Sequence, residues 1–176
     1  MFKSGIGIDM HPFGEVRPLI LGGARIDHAF GLEGDYDADV VSAAVVDALL
    51  GAANLGERYE LFPESDSKYH NISGMRLLEL VRLRLARIAL EIENIDIIIV
   101  CPEINLASYK TYMLLNLSHA LEIDSSMISI KQAHSFENLV PEFKKGIAAM
   151  AVCMLLDVSG KEDDLEGGNA EEEFYE

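Results

Sequence analysis

Cysteine is scarce in this sequence: Cys101 and Cys153 are the only two in 176 residues, both in apolar surroundings and without C-x-x-C spacing. That excludes a disulfide framework and a cysteine-rich zinc site, and it suits a reducing cytoplasm. Basic charge is scarce too, with 14 Lys and Arg against 30 Asp and Glu and a formal net charge of -16. A chain without a basic face has no non-specific grip on nucleic acid or an anionic membrane. Any anionic ligand must therefore be met by local groups or by a metal. The N-terminus has no basic region followed by an apolar run, and charges interrupt every apolar stretch well short of membrane-spanning length. The sequence thus predicts a chain that is neither targeted nor anchored.

What is present fits one domain with a sizeable core. The acids are unevenly spread: "SGKEDDLEGGNAEEEFYE", residues 159–176, holds eight acids and one lysine. This predicts a domain over 1–158 followed by a solvated, disordered acidic tail over 159–176.

Strand patterns occupy Lys3 to His11 and Leu19 to Ile26, and a Gly- and Asp-rich loop, "GLEGDYDAD", follows them. From Asp37, taken as an N-cap, Val40, Val41, Ala44, Val45, Ala48, Leu49 and Ala52 keep helical spacing as far as Gly56. Ser73 caps a second predicted helix to about Glu91, with Leu77, Leu78, Val81, Leu85 and Ile88 as its apolar stripe and Arg76, Arg82, Arg84 and Arg87 on the wet side. A buried-type strand "NIDIIIVC", a helix over Ser108 to Leu121, a strand "MISIKQA" and a last helix from Glu142 to Leu156 complete the reading. Alternating strands and helices predict an α+β (α/β layered) fold, a mainly β sheet covered on one face by helices.

The stretch "GIGIDMHPF" at 5–13 concentrates the chemistry. A period of two puts Asp9 and His11 on one face of a strand, either as a satisfied core histidine pair or as part of a metal site.

Several features in order, "GIDMHPF" at 7–13, "LGGARI" at 21–26, "DALLGAANLG" at 47–56, "LFPESD" at 61–66, "NIDIIIV" at 94–100 and "ISIK" at 128–131, resemble the 2-C-methyl-D-erythritol 2,4-cyclodiphosphate synthase family of the non-mevalonate isoprenoid pathway. The resemblance implies a cytoplasmic homotrimer with active sites between subunits, a zinc ion in each, and a second divalent ion, Mg²⁺ or Mn²⁺, on the substrate diphosphate. It implies a lyase reaction in which the 2-phosphate of a cytidine-diphosphate methylerythritol attacks the β-phosphate, closing a cyclic diphosphate and releasing CMP. Positioning and charge neutralisation supply most of such catalysis.

Residue by residue, the resemblance makes Asp9 and His11 two of three zinc ligands. The third, a helical histidine, is Ala43 here. A catalytic zinc takes three protein ligands, so its loss costs roughly a third of the ~10–16 kcal/mol typical of structural sites. On that basis Ala43→His is expected to raise zinc affinity at least about tenfold. Asp39 and Asp47, four residues either side, match family aspartates and orient ligands. Asp35 and Tyr36 stand where the family has a substrate-cradling His-Ser pair. Glu57 and Glu64 replace aspartates of the substrate loop, Tyr59 replaces a glycine, and Phe62, Pro63 and Asp66 match. The cytosine-contacting loop aligns with Cys101 to Ala107, including Leu106, with Asn105 in place of a lysine. A family T-T-T-E run becomes Ala133, His134, Ser135 and Phe136, which leaves His134 and Ser135 as the catalytic candidates; His134 can donate to an anion or serve as a structural histidine.

Two functions follow: a synthase with an altered metal set, or a paralogue that kept the fold and trimer, lost catalysis, and binds a small phosphorylated or cytidine-containing ligand or assembles with a partner. The losses of charge-stabilising groups favour the second.

Overall fold

The structure, a computed structural model, describes residues 1–15, 17–133 and 145–160. The first strand, β1 (Phe2–Glu15), runs antiparallel to β7 (Gly146–Asp157) from the Phe2↔Leu156 pair to the Pro12↔Gly146 pair. On the far side of β7 lies β5 (Leu90–Val100), also antiparallel, and β5 in turn pairs in parallel with β6 (Ile128–Ala133). A short β4 (Gly31–Leu32) closes the other edge, giving the order β4-β1-β7-β5-β6. Among the described residues four α-helices accompany the sheet: α1 (Val40–Ala53), α2 (Arg58–Leu61), α3 (Gly74–Arg87) and α4 (Lys110–Leu121). None of the described helices is long and apolar enough to cross a membrane.

The helix expected from Glu142 to Leu156 is instead β7, as far as the described residues reach; 142–144 lie outside them. Its inward residues Ile147, Ala149, Ala151, Cys153 and Leu155 are buried, while its outward residues Met150, Val152 and Met154 are apolar as well. A central strand that is apolar on both faces has no alternation to read, and Ala, Met and Leu favour helix when nothing else decides. Pairing on both edges decides here. The stretch Leu19 to Ile26 also divides, into β2 (Leu19–Leu21) and β3 (Ala24–Ile26), because Gly22 and Gly23 at φ 53° and 69° turn the chain into a two-residue hairpin.

Helix α1 lies directly on β1. A Cβ at Gly7 would stand 2.0 Å from the Ala44 carbonyl oxygen, and one at Gly5 would stand 2.1 Å from that of Ala48. Side-chain-free strand positions thus let the helix backbone touch the sheet. With α3 packed over it, α1 buries apolar side chains all round, as a helix in the middle layer must.

The N-cap of α1 is Asp39, where the sequence suggests Asp37. One Asp39 oxygen accepts from the backbone N–H of Gly22 (2.8 Å), Val41 (3.1 Å) and Ser42 (3.2 Å), and the other accepts from Gly23 N–H (2.8 Å) and Ser42 Oγ (2.6 Å). One carboxylate therefore joins the helix start to the hairpin turn. Asp37 accepts from Gly74 N–H at 2.9 Å, joining the starts of α1 and α3. Ser73 caps α3 as its position predicts, and Leu77, Leu78, Val81 and Leu85 are buried, while Ile88 falls after the helix at 45% exposed.

Among the described residues, helices cover one face of the sheet only. On the other, Ile6 (65% exposed), Ile8 (51%), Met10, Val152 (47%) and Met154 lie bare, with Ile6 opposite Val152 and Ile8 opposite Met150.

Candidate functional site

The inward face of β1 carries no side chain at Gly5 and Gly7, then presents Asp9 and His11 just beyond the start of α1. Together with Asp35, Tyr36, Asp37, Ala38, Asp39, Ala43, Arg58, Tyr59, Gly74 and Leu77 they line one cavity. The strand and helix therefore do meet: the carboxylate, the imidazole and Ala43 share a compartment. His11 Nε2 lies 3.1 Å from one oxygen of Asp9, and Gly34 leaves room for the imidazole, since a Cβ there would stand 2.7 Å from its Cε1.

Arg58 carries no signal in the sequence pattern. This residue opens α2, is 4% exposed, and places Nη2 3.2 Å from the other oxygen of Asp9 and Nε 3.6 Å from Asp47. Its guanidinium also stacks 4.9 Å from the Tyr59 ring centre. Burial alone would weaken the Arg58 cation, but the carboxylates of Asp47 and Asp9 more than offset this and raise its pKa. Burial pushes Asp47 up to about 6, Arg58 pulls against that, and Asp9 and Glu57 add to it. In a sequence, "ERYE" looks like any solvated turn, and nothing in it distinguishes an inward arginine.

Asp35 and Tyr36, aligned with the substrate-cradling pair, diverge in fate. Asp35 is exposed, whereas Tyr36 is 8% exposed, with its hydroxyl donating to the Phe62 carbonyl at 2.5 Å and its N–H to Glu64 at 3.3 Å. Tyr36 and Ala38 both hold left-handed backbone, φ 55° and 52°, an unfavourable state for non-glycine residues that concentrates where surrounding structure enforces it, often at functional sites. Tyr36 and Tyr59 stack at 6.2 Å. These rings and the arginine fill the cavity, leaving about 10 Å³, about enough for one water molecule.

The remaining predicted residues are dispersed. Glu57 is exposed at the start of α2 and Phe62 is fully buried, while Pro63 is half-buried; Asp66 closes a turn by accepting from Lys68 N–H. The side chains of Cys101 and Leu106 are fully buried, so their loop can present only backbone from those two positions. Burial raises the Cys101 thiol pKa, the environment of an inert small hydrophobe. Gln132, unremarked in the sequence, shapes this loop: its amide donates to the carbonyls of Cys101 (2.7 Å) and Ile104 (2.6 Å) and accepts from Leu106 N–H. His134 and Ser135 lie outside the described residues.

The donor set does not fit a three-ligand zinc site. Asp9 and His11 bring two donors, Ala43 brings none, and among the described residues no three His, Cys, Asp or Glu side chains converge as a ligand set. Asp39 is committed to five hydrogen bonds elsewhere, and a cation already stands on Asp9.

Fold and pocket define the class: an α+β protein with a mixed sheet helix-covered on one face, carrying an acidic pocket built around a buried cation. The chain belongs to the YgbB family, whose model matches residues 2–156. It is 44% identical over 154 residues to the 2-C-methyl-D-erythritol 2,4-cyclodiphosphate synthase of Clostridium kluyveri, covering 87% of this chain and 93% of that protein. To the synthase of Desulforamulus reducens it is 40% identical over 153 residues, 87% and 98% of the two chains. Among solved structures, the bifunctional IspDF from Campylobacter jejuni matches at TM-score 0.81 and 36% identity over 88% of this chain and 42% of that one. The CDP-bound form of 2C-methyl-D-erythritol-2,4-cyclodiphosphate synthase matches at 0.78 and 27% identity, over 88% and 100%.

Proposed function

We propose that this protein acts as a 2-C-methyl-D-erythritol 2,4-cyclodiphosphate synthase, taking a cytidine-diphosphate methylerythritol 2-phosphate to the cyclic diphosphate and CMP. The observation that carries this reading is the match of 87% of the chain, at 44% identity, to a curated synthase which it covers to 93%. In the reaction a 2-phosphate oxygen bonds to the β-phosphorus while the bond from that phosphorus to the CMP oxygen breaks, so the protein's work is to fold the substrate and balance its charge. On this reading the Gln132-held loop receives the cytosine through its backbone, and the cavity of Asp9, His11, Tyr36 and Arg58 faces the diphosphate. A divalent ion, Mg²⁺ or Mn²⁺, would when bound supply charge neutralisation to the diphosphate. His134 and Ser135 keep the catalytic roles that the resemblance gives them, in a unit of residues 1–158.

A second reading, a ligand-binding member without turnover, is favoured by the filled cavity and the exposed anion Asp35, which repels phosphate. Purified protein, supplied with the cytidine substrate and Mg²⁺ or Mn²⁺, is expected to release CMP and cyclic diphosphate in equal amounts. Micromolar CDP binding without CMP release would establish the second reading, and absence of both would overturn the assignment of this pocket.

Self-association into a homotrimer accompanies the proposal. Its support is the bare apolar sheet face, since contiguous exposed apolar surface on this scale marks an interface. Placing one charge there should separate the subunits: Ile8→Asp is expected to sediment at about one third of the wild-type mass. An unchanged mass would place the interface elsewhere.

A further inference from the structure

Two metal-type donors without a third, and a buried cation against one of them, make an unusual combination. Asp9 shares its oxygens between His11 Nε2 at 3.1 Å and Arg58 Nη2 at 3.2 Å, and Arg58 Nε faces Asp47 at 3.6 Å. The guanidinium thus stands between two of the pocket's carboxylates, on the Asp9 oxygen that His11 does not touch. An arginine is always protonated and planar, so it supplies a permanent charge in a fixed orientation. A divalent ion brought onto Asp9 would meet that charge at close range with little water between them. Arg58 Nη1, buried and without a hydrogen-bond partner among the described residues, still has N–H groups to give.

We propose that Arg58 is the built-in cation of this pocket: it replaces the zinc ion, holds Asp9 and Asp47 in place, and offers Nη1 to a phosphate oxygen. The site is therefore zinc-free by construction. Two positions carry the arrangement: Ala43 brings no donor where the resemblance implies a histidine, and Arg58 brings a permanent charge. The anion half of this inference rests on the ligand class proposed above; the metal half does not.

Zinc titration by calorimetry and metal analysis of purified protein test the metal half directly. Wild type is expected to carry no stoichiometric zinc, and its melting temperature should not respond to chelator. Ala43→His alone should gain little, against the roughly tenfold that ligand count by itself predicts, because the guanidinium on Asp9 and Asp47 remains. The double variant A43H/R58L should bind zinc at least about tenfold more tightly than A43H, the scale on which groups surrounding a metal set its affinity. Arg58→Lys, which keeps the charge and protects against misfolding as an explanation, should exclude zinc as wild type does. Stoichiometric zinc in wild type, or equal affinity of A43H and A43H/R58L, overturns the proposal. For the anion half, CDP should bind wild type equally well with and without chelator and bind R58L at least about tenfold more weakly. Equal CDP binding by R58L would remove Nη1 from the ligand. If wild type does not bind CDP at all, the ligand assignment falls while the zinc titration still decides the cation.

Discussion

Gly7→Val is expected to leave the chain without its native fold. The Cβ alone would stand 2.0 Å from the Ala44 carbonyl oxygen and 2.6 Å from Ala48 N, both backbone atoms of a buried helix. No side-chain rotation relieves that contact, so α1 must lift away from β1, opening the buried contact between helix and sheet. Ordinary overpacking costs about 1–3 kcal/mol when side chains can adjust. Displacement of a helix backbone should exceed about 4 kcal/mol, a large share of the ~5–15 kcal/mol that holds a domain together. Far-UV circular dichroism during urea unfolding measures the loss. A shift of the midpoint corresponding to less than about 1 kcal/mol would show that α1 can slide on the sheet.

Asp39→Ala should come next, at about 4 kcal/mol. Removal of an N-cap carboxylate costs roughly 0.5–2 kcal/mol, and here the same group also satisfies the N–H groups of Gly22 and Gly23. A buried donor left unpaired adds roughly 1–3 kcal/mol. The hairpin turn should loosen with the helix start, seen as faster amide exchange at Gly22 and Gly23 along with Val41 and Ser42. Exchange confined to Val41 and Ser42 would mean that the turn is held by other contacts. Burial, with help from Asp37, pushes the Asp39 pKa from 3.8 up to about 6, against the hydrogen bonds from Ser42, Gly23 and Gly22. A folded value above the unfolded one means that folding takes up a proton. This contribution to stability is fully present below pH 4 and is lost as pH rises through 6. Asp39→Asn, neutral throughout, should therefore show a flatter stability profile between pH 4 and 6 than wild type.

The parts of the fold that announce themselves do so through periodicity. β1 shows its alternation because Asp9 and His11 fall on the helix-covered side and Ile6, Ile8 and Met10 on the other, and α3 shows its stripe at Leu77, Leu78, Val81 and Leu85 because its opposite side is wet. β7 is illegible for the opposite reason: Ala149 and Ala151 lie under α1 while Val152 and Met154 occupy the bare face, so apolar residues fall on both sides. The site divides similarly. The approach of Asp9 and His11 to Ala43 follows from strand spacing and the family resemblance, whereas the inward turn of Arg58 does not. A four-residue helix carries too few positions for a pattern, and only Asp9 and Asp47, 49 and 11 residues away in the chain, reveal which way that arginine points.

The amino-acid sequence by itself determined the layered α+β class and the strand face that pairs a carboxylate with an imidazole. Those are local properties, written in spacing and residue type. Only the tertiary structure decided that a buried guanidinium stands among the carboxylates, that one aspartate links a helix to a distant turn, and that the last apolar run is a strand. Each depends on partners brought together from remote parts of the chain, where the electrostatic and hydrogen-bonding requirements of burial outweigh local preference.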